Sequence, residues 1–172
     1  MTTTLVLGGA RSGKSALAQT AAESHAREHG GRLAMIVTAQ PFDDEMAARI
    51  ARHREDRGGL WRTVEATHDL PAALENLTAD DVVVVDCLTL WLSNLMLAEQ
   101  DMETAADALV AAVGKAPCPL WLVSNEVGLG IVPENALARR FRDGAGRLHQ
   151  RLAKAVERVI FVAAGLPLTL KG

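Results

Sequence analysis

Short apolar runs alternate along the chain with longer amphipathic stretches, and this alternation predicts the fold class. Thr3–Leu7, Leu33–Thr38, Val82–Asp86, Leu120–Ser124 and Val159–Ala163 are brief and nearly continuous in apolar or β-branched residues. Such runs read as strands buried on both faces. The stretches between them are predicted helical: Lys14 to about His29, Asp43 to about Arg57, Leu70–Leu77, a region within Leu88–Val113, and Glu134–Glu157. Buried strands alternating with helices predict a mainly parallel sheet covered by helices on both faces.

Local signals place some helix starts. Asp43 and Asp69 are expected caps, the latter followed by Pro71 in a first turn, and Pro133-Glu134 is expected to open the long C-terminal helix. In that helix Leu137, Phe141, Ala145, Leu148, Leu152 and Val156 form an apolar stripe, leaving Arg139, Arg142 and Arg147 largely to solvent.

With 172 residues and no repeat, low-complexity tract or linker, the chain is expected to form one domain over 1–172. A net charge of −3, three Phe, three Trp and no Tyr argue against nucleic acid as a partner. Cys87 and Cys118 lie in apolar segments without metal-ligand spacing and read as reduced core residues. The longest apolar stretch, Val82 to Leu92, is interrupted by Asp86 and too short to cross a bilayer. The opening residues enter a strand without a charged leader or cleavage site, so the expected location is cytoplasmic.

Chemistry enters with Gly8-Gly9-Ala10-Arg11-Ser12-Gly13-Lys14-Ser15, which satisfies G-x-x-x-x-G-K-[ST] between a predicted strand and a predicted helix. Glycines let such a loop turn its N–H groups inward around phosphate oxygens, and the helix N-terminus adds partial positive charge. Lys14 is expected on the outer phosphates, and the Ser15 hydroxyl on Mg²⁺. Asp86 ends a run of four valines at a strand's C-terminal edge, where open α/β sheets bind ligands. It is the second candidate Mg²⁺ ligand, although a strand-end Asp can also cap the following helix. Motif and alternation together predict a P-loop NTPase-type sheet in a three-layer α/β/α, RecA-like arrangement.

A P-loop does not by itself separate kinases from motors, switches or transporters. Met46, Ile50 and His53 share one helical face, with Arg49, Arg52, Arg54 and Arg57 nearby. A histidine so placed can be a core residue. Arginines beside it also suit a triphosphate and favour the neutral, nucleophilic imidazole.

The chain resembles the bifunctional adenosylcobinamide kinase/adenosylcobinamide-phosphate guanylyltransferase family. The resemblance rests on the P-loop block, Thr38-Ala39-Gln40, Asp43-Asp44-Glu45-Met46, Arg49-Ile50 with His53-Arg54, and Trp61 through Glu65. It continues through Asp86 to Trp91, Ser124-Asn125-Glu126-Val127-Gly128, Gly130 through Asn135, and Phe141-Arg142-Asp143 through Gly146-Arg147. Two positions depart from the family pattern: Gly58-Gly59 stand where a proline is expected, and His149 where asparagine is expected.

The resemblance implies two reactions. ATP or GTP phosphorylates adenosylcobinamide, and GTP then gives GMP to the adenosylcobinamide phosphate through a guanylylated His53. By matching positions, Thr38, Ala39, Gln40, Arg54, Glu55, Asp56, Arg57 and Glu65 would line the nucleotide pocket. Glu65 could face guanine or ribose, or be only an exposed strand charge. The irregular segment Asn125–Asn135 is expected to help form a corrinoid or subunit interface. A homo-oligomer, specifically a trimer, is likewise implied by resemblance alone. Another small-molecule kinase with a structural His53, or a nucleotide-dependent switch, are the competing readings.

Overall fold

The computed structural model describes residues 2–39 and 58–172. In chain order these form β1 (Thr3–Gly8), α1 (Lys14–His29), β2 (Arg32–Val37), a 3₁₀ turn (Gly58–Leu60), β3 (Arg62–Glu65), α2 (Leu70–Glu75) and β4 (Asp81–Asp86). There follow α3 (Leu88–Leu97), α4 (Met102–Lys115), β5 (Leu120–Asn125), α5 (Ala136–Ala155), β6 (Arg158–Ala163) and β7 (Leu166–Lys171). The strands make one seven-stranded sheet in the order β3-β2-β4-β5-β1-β6-β7. All neighbours pair in parallel except β6 and β7.

The central strands are apolar throughout because both of their faces are covered. Leu5, Leu7, Val83, Val85, Leu120 and Leu122 share one core with residues of α2, α3, α4 and α5. Val6, Val82, Val84, Trp121 and Val123 turn the other way and pack with Ala18 and Ala22 of α1. Alternation along each strand thus feeds two cores, giving the expected three layers.

The structure departs from the predicted elements in three places. The region within 88–113 is two helices, broken where Glu99 takes a left-handed φ of 55° and restarted by Asp101, whose side chain accepts from the Glu103 N–H. The long C-terminal helix starts at Ala136 rather than Glu134. Asn135 is its cap, accepting from the Leu137 and Ala138 N–H groups. Its apolar stripe is buried at Ala145, Leu148, Leu152 and Val156, whereas Leu137 is exposed.

The third departure is the pair of outermost strands, β3 and β7, which lie beyond the five predicted. The β6–β7 hairpin turns on Ala164 and Gly165, both with positive φ, as a two-residue primed turn requires. Pro167 is tolerated in β7 because an edge strand leaves one row of N–H groups unpaired.

Candidate nucleotide site

Gly8 ends β1 at the sheet's C-terminal edge, and the chain reaches α1 through Gly9–Gly13. A methyl group on Gly8 would stand 2.5 Å from both Ser12 Oγ and the Val162 carbonyl oxygen, so only glycine fits. Gly13, with φ 95° and ψ 3°, turns the loop into the helix through a left-handed conformation. The loop is closed by the Ser12 N–H on the Gly9 carbonyl at 3.3 Å. It is braced from outside by the Gly165 N–H on the Ser12 carbonyl at 2.8 Å. The turn of the missed hairpin therefore supports the phosphate loop.

Helix α1 has no side-chain cap and no acidic residue in its first turn. Its leading N–H groups and positive dipole end are left to an anion. Lys14, the first residue of α1, is only 7% exposed, and its Nζ donates to the Gly9 carbonyl at 2.9 Å. Burial pushes its ammonium below the usual lysine range, opposed by Cys87 and Asp86. The cation thus lies across the loop that phosphates would enter.

Strand β5 separates β1 from β4, yet Ser15 in α1 reaches across to the β4 end. Its hydroxyl donates to Asp86 Oδ1 at 3.5 Å. A hydroxyl and a carboxylate oxygen this close make a donor pair that suits a hard divalent cation.

The neighbouring strand ends are tied to the same edge. Thr38, just past β2, donates from Oγ1 to the Cys87 carbonyl at 2.7 Å and accepts from the Cys87 N–H at 3.0 Å. Its hydroxyl is therefore engaged within the fold, and the side chain is fully buried. Asn94 of α3 donates to the carbonyls of Thr38 and Thr67, and Trp91 Nε1 donates to that of His68. These bonds hold the turns after β2 and β3, beside Ala39 and Glu65. Glu65 ends edge strand β3 opposite Val37, two strands beyond Asp86.

Four further polar residues, Ser124, Asn125, Glu126 and His149, gather at the end of β5. Asn125 pairs in register with Gly8, and its side-chain amide donates to Thr89 Oγ1 at 3.1 Å. The Glu126 N–H donates to the Gly8 carbonyl at 2.9 Å. His149 of α5 meets Ser124 with Nε2 and Oγ 2.7 Å apart, both residues buried. The sequence places Asn125 and Glu126 only in the segment expected at a corrinoid or subunit interface, and gives Ser124 and His149 no chemistry. The available signal was a polar run directly after the apolar Leu120–Val123, the same signal that marked Asp86. Gln40, His53, Arg54, Glu55, Asp56 and Arg57, with the expected Asp43 cap and its helix, lie outside the described residues.

The fold and the glycine loop define a P-loop nucleotide-binding protein with a RecA-like α/β sheet. Its fold is similar to that of a KaiC-like protein from Pyrococcus horikoshii, with a TM-score of 0.52 and 16% identity, over 93% of this chain and 70% of the other. Within that class, residues 4–170 match the model of the cobinamide kinase / cobinamide phosphate guanyltransferase family, and the chain belongs to that family. It is 49% identical to the bifunctional adenosylcobalamin biosynthesis protein CobP of Pseudomonas aeruginosa, covering 98% of this chain and 96% of the relative. It is 42% identical to the bifunctional adenosylcobalamin biosynthesis protein CobU of Salmonella typhimurium, covering 97% and 98%.

Proposed function

We propose that the chain carries out both reactions for which its family is described. ATP or GTP first phosphorylates the hydroxyl of adenosylcobinamide. GTP then transfers GMP to the new phosphate, giving adenosylcobinamide-GDP. The observation that carries this reading is the Gly8–Ser15 loop, with Lys14 buried against it and Ser15 Oγ 3.5 Å from Asp86, in a chain matched to the family over residues 4–170.

In both reactions the loop N–H groups and Lys14 hold phosphate oxygens and neutralise charge on the leaving group. Ser15 and Asp86 are the residues that would hold Mg²⁺, which when bound supplies further positive charge to the phosphates. For GMP transfer, a neutral His53 ring nitrogen attacks the α-phosphorus of GTP. A P–N bond forms while the bond to the α–β bridging oxygen breaks, and pyrophosphate leaves. A phosphate oxygen of adenosylcobinamide phosphate then attacks the same phosphorus and frees the imidazole. Thr38, Ala39, Gln40, Arg54, Glu55, Asp56, Arg57 and Glu65 are proposed to line the nucleotide. With its hydroxyl engaged by Cys87, Thr38 does so by fixing the backbone at that edge.

The homo-oligomer belongs to the same proposal. Leu129 and Ile131 after β5, and Leu166, Leu168 and Leu170 along β7, are exposed apolar side chains that support it. The function is tested by supplying adenosylcobinamide with ATP, then GTP, and following products by mass. The phosphate ester should appear first, then the GDP derivative with release of pyrophosphate. Nucleotide hydrolysis with neither product would overturn the reading.

A further inference from the structure

Among the described residues, acidic side chains stand at the C-terminal edge of three parallel strands: Glu65 at β3, Asp86 at β4, and Glu126 just past β5. Sheet order separates their roles. Glu65 lies on the outermost strand, and Asp86 is paired with Ser15. Strand β5 runs between the phosphate-loop strand and the Asp86 strand. A residue at its end therefore flanks the gap in which the outer phosphate and its acceptor must meet. The 2.9 Å bond from the Glu126 N–H to the Gly8 carbonyl fixes that residue directly against the loop.

The Glu126 carboxylate is held by one backbone hydrogen bond and has one imidazole close by. Oε1 accepts from the Gly128 N–H at 2.5 Å, and Oε2 lies 4.0 Å from His149 Nδ1. His149 Nε2 and the buried Ser124 Oγ stand 2.7 Å apart, and a proton on Nδ1, the side facing the carboxylate, would let Nε2 accept from that hydroxyl. Burial pushes His149 below the usual histidine range, against the pull of Glu126. At neutral pH the ring thus orients its partner without adding charge. While His149 and Ser124 are buried, the Glu126 side chain remains 22% exposed.

We propose that Glu126 is the carboxylate that accepts the proton of the acceptor hydroxyl in phosphoryl transfer, with His149 as its positioning residue. The inference rests on the kinase half of the proposed function. As the hydroxyl O–H bond breaks, its proton passes to Glu126. The oxygen bonds to the γ-phosphorus, and the bond from that phosphorus to the β–γ bridging oxygen breaks, its electron pair leaving on the nucleoside diphosphate. The same carboxylate has no proton to accept when an imidazole attacks GTP.

That difference supplies the test, made on the full chain with adenosylcobinamide and ATP, and separately with GTP alone. Glu126→Gln should lower kcat for corrinoid phosphorylation about 100-fold or more. The KM for ATP and the rate of protein–GMP adduct formation should stay within about threefold. Glu126→Asp should recover at least about a tenth of the lost turnover. His149→Leu should lower kinase kcat about tenfold, and His149→Asn, which keeps a polar donor toward Glu126, should restore most of it. A Glu126→Gln protein that phosphorylates normally, or loses both activities together, overturns the assignment while wild-type activity leaves the function intact. A wild-type protein that never phosphorylates adenosylcobinamide overturns the function itself.

Discussion

Ser15 and Asp86, 71 positions apart in the chain, bring their side-chain oxygens to within 3.5 Å. The contact spans the width of β5 and joins the first turn of α1 to the end of β4. It shows how two local sequence signals, a glycine loop and a carboxylate after four valines, become one site. The parallel sheet brings both strand ends to one edge. Asp86→Asn should raise the Mg²⁺ concentration for half-maximal activity about tenfold or more in both reactions. Titration of each activity against Mg²⁺ checks this, and an unchanged midpoint would remove Asp86 from the metal's ligands.

On the proposed function Lys14 would serve both reactions, because both leave charge on departing phosphates. Lys14→Ala should reduce each activity about 100- to 1,000-fold, as loss of one preorganised donor typically does. Far-ultraviolet circular dichroism should stay that of the parent, since among the described residues the lysine side chain makes a single hydrogen bond, to the Gly9 carbonyl. Selective loss of one activity would mean that the two reactions hold their phosphates differently.

Gly8 has no room for a side chain: a methyl group there would stand 2.5 Å from both Ser12 Oγ and the Val162 carbonyl oxygen. The carbonyl belongs to the neighbouring strand and cannot rotate away. Gly8→Ala should therefore destabilise the fold by about 1–3 kcal/mol and weaken nucleotide binding at the same time. Denaturant titration with and without GTP reads both effects.

The buried His149 gives a signed pH dependence. Its folded-state pKa lies below the ordinary histidine value of 6.5, so as pH falls through that value the unfolded chain takes the proton first. Its contribution is present above the unfolded pKa and is lost as pH falls toward the folded one. Acidification from neutral pH should thus destabilise the parent more than His149→Asn, seen as a steeper fall in Tm. Parallel Tm–pH curves for the two proteins would contradict this.

Burial pushes the Cys118 thiol up to about 11, with the Asp81 carboxylate adding to the effect, and burial likewise raises Cys87. Neither thiol presents much thiolate at pH 8. Alkylation of the native protein should be slow, and denaturation should release two reactive thiols. Rapid labelling of either cysteine in the native state would contradict their enclosure.

Much of this arrangement is legible in the sequence, and the illegible parts share a physical cause. The five predicted strands are nearly continuous apolar runs because helices cover the sheet on both faces. Edge strands lack that signature. Arg62-Thr63-Val64-Glu65 has Val64 as its one apolar residue, and Leu166–Lys171 is exposed along its whole length and contains Pro167. The phosphate loop is legible because its residues are contiguous and their spacing is itself the geometry. The Ser124, Glu126 and His149 cluster is not, because it joins the end of β5 to the middle of α5. Asn135 escaped notice as a cap because Pro133-Glu134 offered a plausible start two residues earlier.

Nucleotidyl transfer through His53 is the central claim, and one measurement reaches it directly. The protein is incubated with Mg²⁺ and GTP labelled at the α-phosphate, then denatured and examined for bound label. The account predicts an adduct of GMP mass, labile to acid and stable to alkali, that is absent from His53→Ala. No adduct on the parent protein, or an undiminished one on His53→Ala, would contradict it.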